Sequence, residues 1–221
     1  MEEFMKWLDN ILEKEKASHV NFFGKEFDLS TFSETLKKYG ENRIREWEAL
    51  LLEPHFLPKI EIARKADFPG FKIRPSNHCY EVVYQGKVLR VIDGQLQNDQ
   101  KAHWLLGQSV LIDTRLKPNY ENGEQMWHKD NFLGPIIEKL RKQEKIPKYE
   151  YGSQSSRFGV SSLDFDNQVK QVLLERLGLS FRHERAIEAI IIPQLYLYMP
   201  RKNNGTTNTW VWYEEFFGDC S

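Results

Sequence analysis

The sequence predicts an α+β fold: a mixed or antiparallel sheet of about five strands flanked by helices, with a helical segment at the N-terminal end. Three observations carry this expectation. Apolar residues recur at helical spacing through residues 1–16 and 31–53. From Pro69 onward the spacing changes to short β-rich runs separated by turn residues. The 221 residues are 40% hydrophobic and 13% aromatic, enough apolar bulk to offset chain entropy without cross-links. Residues 1–65 read as a helical segment packed on an α+β core at 66–221, the whole forming one compact domain.

Residues 1–16 place Phe4, Trp7, Leu8, Ile11 and Leu12 on one stripe, with Lys and Glu opposite. A helix packed on the core is the simplest reading, and a helix that docks a partner is the other. Residues 31–53 form a second helical region. Thr31 and Glu34 have capping-box spacing, Gly40 breaks or kinks the run, and Pro54 ends it. HCYEVVY and KVLRVID around Gln85-Gly86 predict a hairpin, and Ser109–Leu116 a third strand. Residues 118–131 read as a loop. A helix over 132–145 follows, its start delayed by Gly134-Pro135. After the Ser/Gly loop at 152–162 comes a helix over 165–177, capped by Asp164 or Asp166 and closed by Gly178. Ser180 caps a short further helix. Residues 190–199 and 209–217 pair as a last hairpin, bringing Tyr196, Tyr198, Trp210 and Trp212 together.

The charge balance is even, with 31 basic and 32 acidic residues. That argues against a surface that coats nucleic acid non-specifically, since neutralising many phosphates calls for a basic excess. The two cysteines, Cys79 and Cys220, form no CxxC and suggest a reducing, cytoplasmic setting. The N-terminus lacks the basic start and apolar block of a signal peptide, and no apolar run approaches the roughly 20 residues of a membrane span, so no membrane partner is expected. Six histidines are scattered without zinc-type spacing. GxSxG, Walker-type and GxGxxG motifs are absent. The Ser153–Ser162 loop with Arg157 could hold an anion at a helix start, although such loops more often only connect elements. Lys139, Arg141, Lys142, Lys145 and Lys148 read as a solvated helix face or, alternatively, a nucleic-acid patch.

The elements from 31 to 199 run α, β, β, β, α, (α), β. Asp93 ends the second strand, Asp113 and Arg115 lie two apart on the third, and Lys117 follows on the same face. This order resembles the restriction-endonuclease-like αβββαβ core with its PD-(D/E)xK pattern. The resemblance implies a phosphodiester hydrolase acting on DNA or RNA, with Asp93 and Asp113 holding Mg²⁺ or Mn²⁺ and Arg115 or Lys117 contacting phosphate. The chemistry is coherent. Residues two apart on a strand share a face. Carboxylates suit a hard cation, and the cation lowers the pKa of its bound water. The match departs from the family at Gly94 and at Arg115, because arginine stays protonated and cannot act as a base. Ordinary structure explains the same residues: Asp before Gly is turn chemistry, and Asp113 with Arg115 can pair across a sheet face.

Two functions are therefore expected from sequence. One is a nucleic-acid-binding or -cleaving protein with a divergent metal site that has lost activity or retains it. The other is a non-enzymatic module that binds a protein through the first helix or the aromatic C-terminal hairpin.

Overall fold

Leu52–Glu61 is a strand although it contains Pro54 and Pro58. It pairs antiparallel with Trp104–Asp113 in a single register from Leu52 opposite Asp113 to Glu61 opposite Trp104. Both strands are edges of a two-stranded sheet, so prolines without an N–H are tolerated there. The computed structural model describes residues 2–72, 82–84, 88–113, 132–196 and 216–217. These residues fall into two compact units, one drawn from Met1–Lys117 and from Arg185 onward, the other from Pro118–Glu184.

The first unit opens with α1 (Glu2–Phe23) and α2 (Ser30–Ala49). Of the expected stripe on α1, Leu8 is buried and Phe4, Trp7, Ile11 and Leu12 are half-buried, and the helix runs on past residue 16 to bury Phe22 and Phe23. α2 buries Phe32, Leu36, Ile44 and Trp47 and is kinked where Gly40 leaves helical geometry. Its start differs from the expected Thr31 capping box: Leu29 is the N-cap, and Asp28 accepts from the Ser30 N–H at 2.9 Å. Strand β1 (Leu52–Glu61) follows where the sequence predicts only proline-broken chain. Next come β2 (Val88–Ile92), β3 (Gln95–Asn98), β4 (Trp104–Asp113) and, after the second unit, α6 (Ala186–Leu195) and β5 (Phe216–Phe217).

The single sheet of about five strands is a correction. Among the described residues there are two antiparallel sheets, β1–β4 and β3–β2–β5, the latter with only a two-residue third strand. The cause is local. Val82–Tyr84, the part of the expected partner run that lies among the described residues, is a 3₁₀ turn and not a strand. β2 folds onto β3 through Asp93-Gly94, both at positive φ (51° and 77°). Ile92 faces Gln95 across that two-residue loop, the arrangement an Asp-Gly type I′ turn favours. A second correction concerns residues 190–199, expected as a strand. Residues through Leu195 form α6, which buries eight of its ten residues. A helix covered on nearly all sides shows no amphipathic period, so a short apolar run reads equally as strand or helix. β5 pairs with β2, and the other residues of the expected C-terminal hairpin, Tyr198, Trp210 and Trp212 included, lie outside the described residues.

The second unit contains α3 (Gly134–Lys142), α4 (Ser162–Asp164), a π-helical turn (Phe165–Val169) and α5 (Lys170–Leu177). Pro135 sits in the first turn of α3 and Gly178 closes α5 with left-handed geometry, as expected. The cap of the later helix is Ser161, whose hydroxyl accepts from the Asp164 N–H at 3.0 Å. No described helix is long and apolar enough to cross a membrane.

Candidate functional site

The four residues expected to carry chemistry are placed as follows. Asp93 is the exposed first residue of the β2–β3 turn. Asp113 closes β4, opposite Leu52 of β1. Among the described residues, Asp93 thus follows a strand of one sheet and Asp113 closes a strand of the other, since β4 pairs with β1, and β2 with β3 and β5. Arg115 and Lys117 lie outside the described residues. Among the described residues no group of three or more His, Cys, Asp or Glu side chains is arranged to hold a metal ion.

Among the described residues, titratable groups meet most densely elsewhere in the first unit. Glu15 of α1 is buried, and both its oxygens are used. Oε1 accepts from the Phe56 N–H at 2.9 Å and the Tyr196 hydroxyl at 2.5 Å, and lies 3.2 Å from His19 Nε2. Oε2 is 2.8 Å from His55 Nδ1. His55 Nε2 is 3.5 Å from Glu53 Oε2, and the His55 ring lies against Tyr196 with centroids 3.9 Å apart. His19 Nε2 is also 2.8 Å from the Phe56 carbonyl, so that nitrogen faces acceptors and carries hydrogen. Burial pushes the Glu15 carboxyl up, but hydrogen bonds from His19, His55 and Tyr196 and the charge of His55 outweigh it and hold the carboxyl at about 2. For His55, burial lowers the pKa, while the hydrogen bonds and charges of Glu15 and Glu53 raise it further than burial lowers it.

Two buried arginines serve the scaffold. Arg185, at the N-cap of α6, donates to the Trp104 carbonyl at 2.6 Å, the Lys101 carbonyl at 2.8 Å and Asp99 Oδ2 at 3.1 Å. Its own N–H donates to Glu188 at 2.8 Å. In the second unit, Arg141 donates to the carbonyls of Pro147, Gln154, Ser156 and Phe158 at 2.7 to 3.1 Å. The loop at 147–158 is wound around this guanidinium. Arg141 therefore leaves the expected basic face, and Lys142 pairs with Glu138 at 2.8 Å. Ser162 Oγ and Asp166 Oδ1 both face His183 Nε2, at 3.2 and 3.4 Å. A nucleophile–base–acid relay needs the acid on the other ring nitrogen, whereas here Ser162 and Asp166 share one.

Several large apolar side chains stand exposed among the described residues, Tyr151, Leu163 and Leu51 included, and two of the exposed ones are cross-strand partners. Val91 and Leu96 face each other across the β2–β3 hairpin, 52% and 57% exposed. On the other face of the same hairpin, Val88 and Asp99 are buried, and Arg90 pairs with Asp99 at 3.1 Å. The hairpin is thus anchored by its inner face and presents an apolar pair outward.

Sequence reasoning missed the Glu15 cluster because its members are 40 and 181 positions apart. One signal was present: Glu15 and His19 fall on the apolar stripe that links Leu8 to Phe22. No family model matches this chain, and no curated protein or solved structure matches it.

Proposed function

We propose that the protein is a non-enzymatic interaction module that docks a protein partner through the outward face of the β2–β3 hairpin. The carrying observation is the Val91–Leu96 pair, opposed on a short hairpin and more than half exposed. An apolar pair left in water on an anchored backbone is surface that a partner can cover with a gain in free energy. The deeply buried charges support the same reading, since Glu15, Arg141 and Arg185 are spent on backbone and side-chain partners within the scaffold. Of the two docking elements expected from sequence, α1 has part of its stripe covered by the core, and the C-terminal hairpin lies largely outside the described residues. The test compares proteins recovered with the wild-type chain and with V91K/L96K under matched folding. Loss of specific partners with the variant supports the module, and unchanged recovery overturns it.

The second reading is a divergent metal-dependent nuclease on DNA or RNA, with Asp93 and Asp113 as Mg²⁺ or Mn²⁺ ligands and Arg115 or Lys117 on phosphate. It is favoured by Asp113 closing a strand and by the acid–x–basic spacing that follows. Its test is cleavage of single- and double-stranded substrates with either cation, using Asp113→Ala as control. Metal-dependent cleavage lost in that variant supports it, and equal cleavage removes it.

A further inference from the structure

We propose that the Glu15–His55–Tyr196 cluster is a proton-operated clasp, in which the doubly paired imidazolium of His55 fastens the end of α6 to α1 and β1 and loss of its proton loosens that end. The geometry is the argument. Both ring nitrogens of His55 face carboxylate oxygens, Nδ1 toward Glu15 at 2.8 Å and Nε2 toward Glu53 at 3.5 Å. A neutral imidazole has one N–H and one lone pair, so it would turn a lone pair toward one of two carboxylates. Only the imidazolium suits both. Tyr196, one residue beyond α6, depends on the same pair twice. Its hydroxyl donates to Glu15 Oε1, and its ring lies on the His55 ring, where a cation on an aromatic face adds attraction.

The charged and titratable groups around the ring come from each neighbouring element. α1 supplies Glu15, with His19 on that same carboxylate. β1 supplies Glu53, whose charge is felt by Glu48 of α2. The end of α6 supplies Tyr196. When His55 releases its proton to solvent, Nδ1–H stays on buried Glu15, and Nε2 presents a lone pair to Glu53. The Glu53 attraction is lost, the ring contact with Tyr196 loses its cationic component, and the carboxylates of this junction face one another without the intervening positive charge. His55 titrates above its ordinary value of 6.5, which puts the release on the neutral-to-alkaline side. The result is a fold whose α6 terminus responds to a proton in the range where histidine acts as a switch.

The experiment uses the full chain. Histidine Cε1–H resonances are followed by NMR from about pH 5.5 to 9, with His55 assigned by His55→Gln. Hydrogen exchange at the end of α6, corrected for intrinsic rates, is read over the same range. Its reporter is the Tyr196 amide, which donates to the Ile192 carbonyl at 3.0 Å. The clasp predicts that protection there falls about tenfold as His55 deprotonates. Glu53→Gln shifts the His55 midpoint down and moves the loss of protection with it. Tyr196→Leu, which lacks both the hydroxyl and the aromatic face, leaves His55 titrating but removes the step in protection. Protection that stays flat through the His55 midpoint, or a midpoint unmoved by Glu53→Gln, overturns the proposal.

Discussion

Arg185 and Asp99 meet at 3.1 Å, both buried, across 86 positions of chain. This contact ties the N-terminus of α6 to the end of the β2–β3 hairpin. The same guanidinium holds the carbonyls of Lys101 and Trp104, so it also fixes the entry to β4. A buried charge with several partners is costly to remove from one side, because the remaining acceptors are left without donors.

Arg185→Met is therefore expected to destabilise the fold by about 3–5 kcal/mol, read as a lowered midpoint in urea unfolding. Arg185→Lys recovers part of this, since an ammonium can meet Asp99 but cannot span both carbonyls with a planar fork. A loss below roughly 1 kcal/mol in the Met variant would show that the carbonyls find water instead.

Gly159 sets a second expectation. Its φ is +72°, and an added Cβ would lie 2.3 Å from Tyr149 Cδ2. Gly159→Ala should cost roughly 1–3 kcal/mol from backbone strain and overlap together. Tyr149→Ala in the same chain should remove the overlap but not the backbone part. A double-mutant cycle on thermal unfolding separates the two, and strict additivity would contradict the clash.

The Glu15 cluster makes stability depend on pH with a defined sign. Glu15 falls from 4.5 to about 2 on folding, so its contribution is present above 4.5 and is lost as pH drops toward 2. Two to three pKa units correspond to about 3 kcal/mol. His55 is raised above 6.5, so its contribution is complete below 6.5 and is lost as pH climbs through the folded value. Stability should peak between about pH 4.5 and 6.5. Chemical unfolding across pH checks this. In Glu15→Gln both slopes should flatten, and steep slopes surviving in that variant would place the linkage elsewhere.

Asp93 offers a substitution that separates turn from chemistry. It has φ 51°, a left-handed geometry that asparagine tolerates and valine does not. Asp93→Asn should keep stability while removing the carboxylate, whereas Asp93→Val should cost roughly 1–2 kcal/mol. Metal-stimulated nuclease activity that disappears in the stable Asn variant would favour the metal-site reading over the module.

The legible parts of the fold were those that local chemistry decides. The stripes at 1–16, 132–145 and 165–177 each fall on a helix, α1 running on to Phe23 past its expected end, and Gly40, Pro135 and Gly178 each mark the point where helical geometry changes. β1 was hidden because Pro54 and Pro58 signal a break, and only the partner strand shows that they sit on an edge. α6 was hidden by its burial on nearly every side. Asp93-Gly94 was seen as turn chemistry, yet Gln85-Gly86 competed for the same hairpin. Nothing local ranks two such signals, because the choice is made by Asp99 and Arg185 anchoring the inner face. The Glu15 cluster and the Val91–Leu96 surface depend on pairings across the chain, so composition and spacing do not reveal them.

The most direct measurement is site-specific photo-crosslinking in the native cellular setting. A photoreactive residue is placed at Leu96 and, separately, at exposed Lys37 of α2. An interaction module docking through the hairpin predicts a discrete protein adduct from position 96, absent at position 37 and lost when Val91→Lys is added. No adduct at 96, or the same adduct from both positions, would contradict it.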